Sequence, residues 1–188
     1  MMHAVALWAA LLASPFWETK SPADWTETEL RQMLTDSPWA QGVERGGAVC
    51  YLATAHPIQN AERELARRRQ AKGAPPPDPE YTDFLAQDQG KHIVLAVSYP
   101  NPNPLDDAPE ARRMQEESIL KIGKKKYKMT GHFSPTPADP YLRLVFPREI
   151  GPNDKSLVFE LYLPGVGDAY NTLEFRLKEL LYRGKPEM

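Results

Sequence analysis

Cys50 is the single thiol in the chain, and a thiolate beside an imidazole base is a nucleophile. His56 and His92 are the histidines nearest to it in sequence. Cys50 stands, however, in Ala48-Val49-Cys50-Tyr51-Leu52-Ala53-Thr54, an apolar stretch that reads as a strand buried on both faces. A free cysteine in that setting behaves as a small apolar side chain. The other chemistries fare no better. His3, His56, His92 and His132 are widely spaced, with no H-x-x-x-H pair to hold zinc. Asn101, Asn103, Asp106 and Asp107 supply oxygens, but the prolines between them break the register of a calcium loop. Gly165-Val166-Gly167 is followed by Asp168 and a strand pattern, so it reads as a turn rather than a phosphate loop. No G-x-S-x-G elbow occurs.

Paired carboxylates carry no sequence spacing, because a glycosidase pair is set about 5–10 Å apart in space. Glu116-Glu117 falls on a predicted helix and Asp106-Asp107 in the loop before it. Adjacent acids of this kind describe a solvated surface. Lys121, Lys124, Lys125, Lys126 and Lys128 form the densest charge run, with Tyr127 inside it. As a strand, Lys124, Lys126 and Lys128 share one face. That stripe suits an edge strand protected from pairing with another copy, and less well a single-stranded nucleic-acid surface. No catalytic residue, metal ligand or cofactor site is assigned.

The elements that would position these groups follow from patterning. Trp25-Thr26-Glu27-Thr28-Glu29-Leu30 is a capping box inside a hydrophobic staple, predicting a helix from Glu27 to Thr35 with Leu30, Met33 and Leu34 inward. Ser37-Pro38 ends it. Trp17, Trp25 and Trp39 bracket this helix and predict a local aromatic core. His56-Pro57 opens a second helix that runs to Gly73. Ile58, Ala61 and Leu65 lie on one face, and Arg63, Arg67, Arg68, Arg69 and Lys72 beside Glu62 and Glu64 form a solvated one. Ala74-Pro75-Pro76-Pro77-Asp78-Pro79 is a stiff connector. Tyr81 to Gln87 reads as one or two helical turns, and His92 to Tyr99 as a buried strand ended by Pro100 to Pro104.

A further helix is expected from about Asp107 to Leu120, with Ala111, Met114 and Ser118 inward, and Gly123 separates it from a strand over 124–133. Three alternating strands follow. The first carries Leu142, Leu144 and Phe146; the second Leu157, Phe159, Leu161 and Leu163; the third Leu173, Phe175 and Leu177. This order predicts an α+β fold: a mixed sheet with a C-terminal antiparallel meander, and helices covering one face.

Composition is that of a globular chain: 188 residues, 41% hydrophobic, 26% charged, net charge −2. That balance excludes a strongly cationic nucleic-acid binder, and one cysteine excludes a disulfide scaffold. The 19 prolines are about twice the average usage of roughly 5%. Ala4 to Ala13 is an apolar run too short for a bilayer and of signal-peptide length, with the best cleavage point after Ala13. Residues 1–20 are expected to be a signal peptide or N-terminal arm, and 21–188 one α+β domain. The compartment is then periplasmic or extracellular, or cytoplasmic if the run is not a signal. No transmembrane segment is expected in the mature chain.

Several segments together resemble an uncharacterised family of small exported bacterial proteins. They are Trp25-Thr26-Glu27, Asp36-Ser37-Pro38-Trp39-Ala40, Phe146-Pro147-Arg148, Asp154-Lys155, and Phe175-Arg176-Leu177-Lys178 with Tyr182-Arg183-Gly184-Lys185. The resemblance implies an exported or envelope protein and assigns no catalytic residue. The expected function is therefore an exported interaction or structural module, its partner an envelope protein. The alternatives are an enzyme with a loop-built carboxylate site, and nucleic-acid binding through Lys121 to Lys128.

Overall fold

The computed structural model describes residues 14–43, 47–77, 79–98, 108–165 and 168–188. The N-terminal apolar run, the Asn101 to Asp107 oxygens and Val166-Gly167 lie outside the described residues. The helices are α1 (Phe16–Thr19), α2 (Glu27–Thr35), α3 (His56–Gln70), α4 (Pro79–Asp88) and α5 (Ala108–Glu117). The strands are β1 (Ala40–Gly42), β2 (Val49–Leu52), β3 (His92–Ser98), β4 (Ile119–Ile122), β5 (Lys125–Lys128) and β6 (Gly131–Phe133). They continue with β7 (Tyr141–Pro147), β8 (Ser156–Tyr162), β9 (Tyr170–Arg176), β10 (Leu181–Tyr182) and β11 (Lys185–Pro186).

The fold is α+β. The expected mixed sheet is corrected: every pairing among the described strands is antiparallel, in a five-stranded sheet β1-β2-β3-β7-β6, a four-stranded sheet β5-β4-β8-β9 and the small hairpin β10-β11. The C-terminal strands do not form one meander. β7 pairs with β3 and β6, whereas β8 crosses to the other sheet and pairs with β4. Patterning alone cannot see this, since alternation marks a strand's faces and not its neighbours.

A second correction concerns the helix expected to reach Leu120. It ends at Glu117, and Ile119-Leu120-Lys121-Ile122 forms β4 with the alternating burial of a strand. Ser118 marks the switch. Its buried hydroxyl accepts a hydrogen bond from Tyr162 N at 3.2 Å, fixing α5 to the end of β8. Gly123 (φ 58°) then turns the chain into β5.

Ile93 to Val97 of β3 and Leu142 to Phe146 of β7 are buried on both faces. One face is covered by the second sheet, where the Phe146 and Phe159 rings meet at 5.3 Å and Phe159 meets Phe175 at 5.9 Å. Tyr51, Ala96, Arg143 and Val145 share the opposite face by register, and α3 and α4 supply the partners of Tyr51 and Arg143 there. The layers are thus helices, sheet and sheet, around one continuous core.

The expected cap and staple are present. Thr26 Oγ1 accepts from Glu29 N at 3.1 Å, and Glu29 Oε2 accepts from Thr26 N at 2.8 Å. Trp25, Leu30, Met33 and Leu34 are buried. Phe16 meets Trp17 and Trp25 edge-on, and Trp17 meets Trp39, so α1 itself docks onto this aromatic core. Ser37 Oγ donates to Met33 O at 2.8 Å and accepts from Trp39 N at 3.3 Å, which turns the chain out of α2. Trp39 Nε1 donates to Glu187 O at 2.7 Å, and the Glu18 carboxylate accepts from Arg183 N at 2.8 and 2.9 Å. The first and last described segments therefore meet. Arg183 (φ 50°) and Gly184 (φ 73°) form the β10–β11 turn, as a tight hairpin of this hand requires.

The α3 face expected to be solvated is only partly so. Glu64 is buried, and it binds both Arg67 (2.7 and 2.8 Å) and Arg68 (2.6 Å). Arg68 also donates to Trp25 O at 2.7 Å and Ala23 O at 3.2 Å, clamping α3 onto the capped segment. Periodicity counts charges per face and misses such a clamp.

Candidate functional site

Arg143 is the unusual residue of the central sheet. A guanidinium in the middle of a strand buried on both faces must bring its partners with it. They come from three elements. Asp139, just before β7, takes Nε at 2.6 Å and Nη2 at 3.2 Å, a two-point grip. Glu62 of α3 accepts from Nη2 at 2.9 Å and from the Tyr51 hydroxyl of β2 at 2.8 Å. Tyr81 of α4 lays its ring 3.9 Å from the guanidinium carbon, and Tyr141 lies at 5.5 Å.

The electrostatics are self-consistent. Burial alone would lower the Arg143 pKa, but the Glu62 charge and the hydrogen bonds to Asp139 raise it well above the ordinary value, so the group stays charged. Burial, reinforced by the Glu62 charge, pushes the Tyr51 hydroxyl well up. Burial also raises Tyr81 and Tyr141. At neutral pH all three tyrosines stay protonated and none is a base, and the Tyr51 hydroxyl donates to Glu62.

This cluster floors a cavity of about 550 Å³ between α3, α4 and the segment leading into β7. Gln59, Glu62, Arg63, Ala66 and Arg69 line it from α3; Tyr81, Leu85 and Ala86 from α4. Pro75, Pro77, Pro137 and Pro140 stiffen its walls. Two floor atoms, Arg143 Nη1 and the Tyr81 hydroxyl oxygen, are buried without a hydrogen-bond partner. Unpaired buried polar atoms are rare in native proteins; the other one among the described residues is Trp25 Nε1 in the aromatic core, so it is the pair under one cavity that sets the groove apart. Beyond Tyr81 and Asp139 lies a smaller cavity of about 250 Å³, lined also by Glu80, His132, Phe133, Ser134 and Thr136. Burial lowers the pKa of His132 there.

None of these side chains was assigned a role from the sequence. The available signal was Arg143 itself, a charge set between Leu142 and Leu144. The alternation of Leu142, Leu144 and Phe146 marks one face of this strand and is silent on what Arg143 meets on the other. The residues singled out from the sequence stand elsewhere. Cys50 is fully buried, and burial pushes its thiol up to about 12. His56 is exposed and packs edge-on against Tyr182, ring centres 5.7 Å apart. His92 pairs through Nδ1 with the buried Asp88 carboxylate, which also accepts from His92 N at 3.2 Å.

Glu117 binds Arg113 at 2.9 Å and accepts from the Tyr170 hydroxyl at 2.5 Å, while Glu116 is exposed. Gly165 (φ 76°) sits in the β8–β9 turn. The lysine stripe is on an edge strand, β5, but Lys124 falls in the preceding turn. Lys126 stands opposite Lys121, which is paired with Glu160. No group of three or more His, Cys, Asp or Glu among the described residues is placed to hold a metal ion. No described helix is long and apolar enough to cross a membrane.

Compared with known proteins, the chain matches no family model, no curated protein and no solved structure.

Proposed function

We propose that this protein is a binding module exported by a bacterium, and that its contact site is the groove between α3, α4 and β7. The observation that carries the reading is the floor of the groove. A buried arginine, held by two carboxylates and an aromatic ring, keeps one nitrogen unpaired beneath an apolar-walled cavity of small-molecule size. Maintaining a charged network at that depth costs stability that an apolar core would retain. An enzyme built on a carboxylate pair is less well supported here, because both acids of the groove, Glu62 and Asp139, are bonded to Arg143.

Export and an envelope partner rest on the apolar N-terminal run and on the resemblance to exported proteins. Cleavage after Ala13 fits the fold, because Phe16, Trp17 and Glu18 are packed and would be kept. N-terminal sequencing of protein from its native host is expected to begin at Ser14. An intact Met1 in cytosolic protein would remove export from the proposal.

The groove is tested by a photo-reactive amino acid at position 86, on its α4 wall, against one at exposed Thr172 on β9. After irradiation in the host, the intact-protein mass is measured. An adduct at 86 that is absent at 172 supports the groove as the contact site. No adduct at 86, or equal adducts at both positions, overturns it.

A further inference from the structure

We infer that the groove takes an amphiphilic carboxylate, its carboxyl group held by Arg63 and Arg69 and its alkyl or aryl body laid along Pro75, Leu85 and Ala86. The inference rests on the groove being the contact site and names the chemistry of its occupant.

The charge pattern of α3 carries it. Arg67 and Arg68 are both bonded to Glu64. Arg63 and Arg69, on the stripe that lines the cavity, have no carboxylate partner among the described residues. Among the described residues Arg63 donates to neutral acceptors, Gln59 O at 3.2 Å and Asn60 Oδ1 at 2.8 Å. Arg69 makes no side-chain hydrogen bond or ion pair with the described residues. Its charge is felt at Tyr141, which lines the same cavity. The carboxylates of the lining, Glu62 and Asp139, are bonded to Arg143. Among the described lining residues, Arg143 with its two carboxylates carries a net −1 and Arg63 and Arg69 carry +2, so the net positive charge of the lining comes from Arg63 and Arg69. A guanidinium matches a carboxylate in plane and in donor spacing, so two such groups without a carboxylate partner suit that anion.

The walls set the rest of the ligand. Pro75, Leu85 and Ala86 offer carbon and no hydrogen-bonding side chain, so the body that fits them is apolar. The volume of about 550 Å³ accommodates a small molecule and is too small for a folded partner.

Isothermal titration calorimetry with octanoate, octan-1-ol and octyltrimethylammonium separates the contributions. Octanoate is expected to bind at least about tenfold more tightly than octan-1-ol, and the cation not at all. In Arg63→Gln/Arg69→Gln, octanoate is expected to fall to the level of octan-1-ol in the parent. Ala86→Trp, which fills the groove, is expected to abolish both. Octanoate binding no better than octan-1-ol, or undiminished in the double variant, overturns the carboxylate assignment. Absence of octanoate binding to the parent overturns the amphiphile itself. Neither result touches the adduct at position 86, so the groove reading stands or falls separately.

Discussion

Asp154 Oδ1 lies 2.8 Å from the point where a Cβ on Gly123 would sit. The two residues belong to different loops, one turning β4 into β5 and one leading into β8. Asp154 cannot easily swing away, because its Oδ2 accepts from Gly151 N at 2.7 Å. Gly123 is therefore required twice, for φ 58° and for space. Gly123→Ala is expected to cost about 2–3 kcal/mol, of which roughly 1 is the backbone conformation alone. In an Asp154→Ala background the same change should cost only that smaller part. Urea melts of the four proteins measure it, and equal costs in both backgrounds would sink the steric account.

Glu64 offers a pH signature. Arg67 and Arg68 hold its carboxyl down to about 2, from an ordinary 4.5. A depressed folded pKa stabilises the native state above the unfolded pKa, and that contribution is lost as pH falls from about 4.5 to about 2. Glu64→Gln is expected to be about 1–3 kcal/mol less stable than the parent at pH 7, with the gap closing below pH 3. A gap that persists unchanged at pH 2 would show that Glu64 acts through packing alone.

The capped helix separates local from tertiary contributions. Thr26→Ala should cost about 1 kcal/mol, the worth of one cap. Trp25→Ala should cost about 3–5 kcal/mol, because it empties a buried aromatic site and exposes α1 and Arg68 to rearrangement. Equal losses in urea melts would contradict the hierarchy.

The lysine stripe divides two functional classes. Lys126 and Lys128 are exposed on an edge strand, and a second copy of β5 alongside would bring like charges to about 5 Å. Lys126→Thr/Lys128→Thr is expected to leave monomer stability within about 0.5 kcal/mol and to raise concentration-dependent association in light scattering. A variant that stays monomeric, from a parent that binds single-stranded oligonucleotides with steep salt dependence, would move the function to nucleic acids.

Legibility from the sequence tracked the range of the interactions. The cap at Thr26, the staple, and the inward face of α2 are set by residues within five positions of one another, and all were readable. The buried strand at His92 was readable because its apolar run needs no partner to be recognised. The pairing of β8 with β4 was not, because nothing in Leu157 to Leu163 states which strand lies alongside. β4 itself was absorbed into the preceding helix, since four residues carry too little periodicity to stand against ten. The groove was the least visible part. Tyr51, Glu62, Tyr81 and Arg143 come from β2, α3, α4 and β7, and no spacing links them. What the sequence did contain was a mismatch, an arginine inside an apolar strand, and mismatches of that kind point to the buried networks that periodicity overlooks.

The clasp of Glu18 on Arg183 and of Trp39 on Glu187 has a mechanical side. Tension between the two ends of the described chain would load these few hydrogen bonds before it reached either sheet. They would part early, together with the edge-on packing of Phe16 and Trp17 and the burial of Tyr182 and Met188, and release α1 and the β10–β11 hairpin as slack. The sheets would yield only afterwards, at higher force. A protein tethered at both ends would therefore lengthen in two stages, with its central layers acting as the stop.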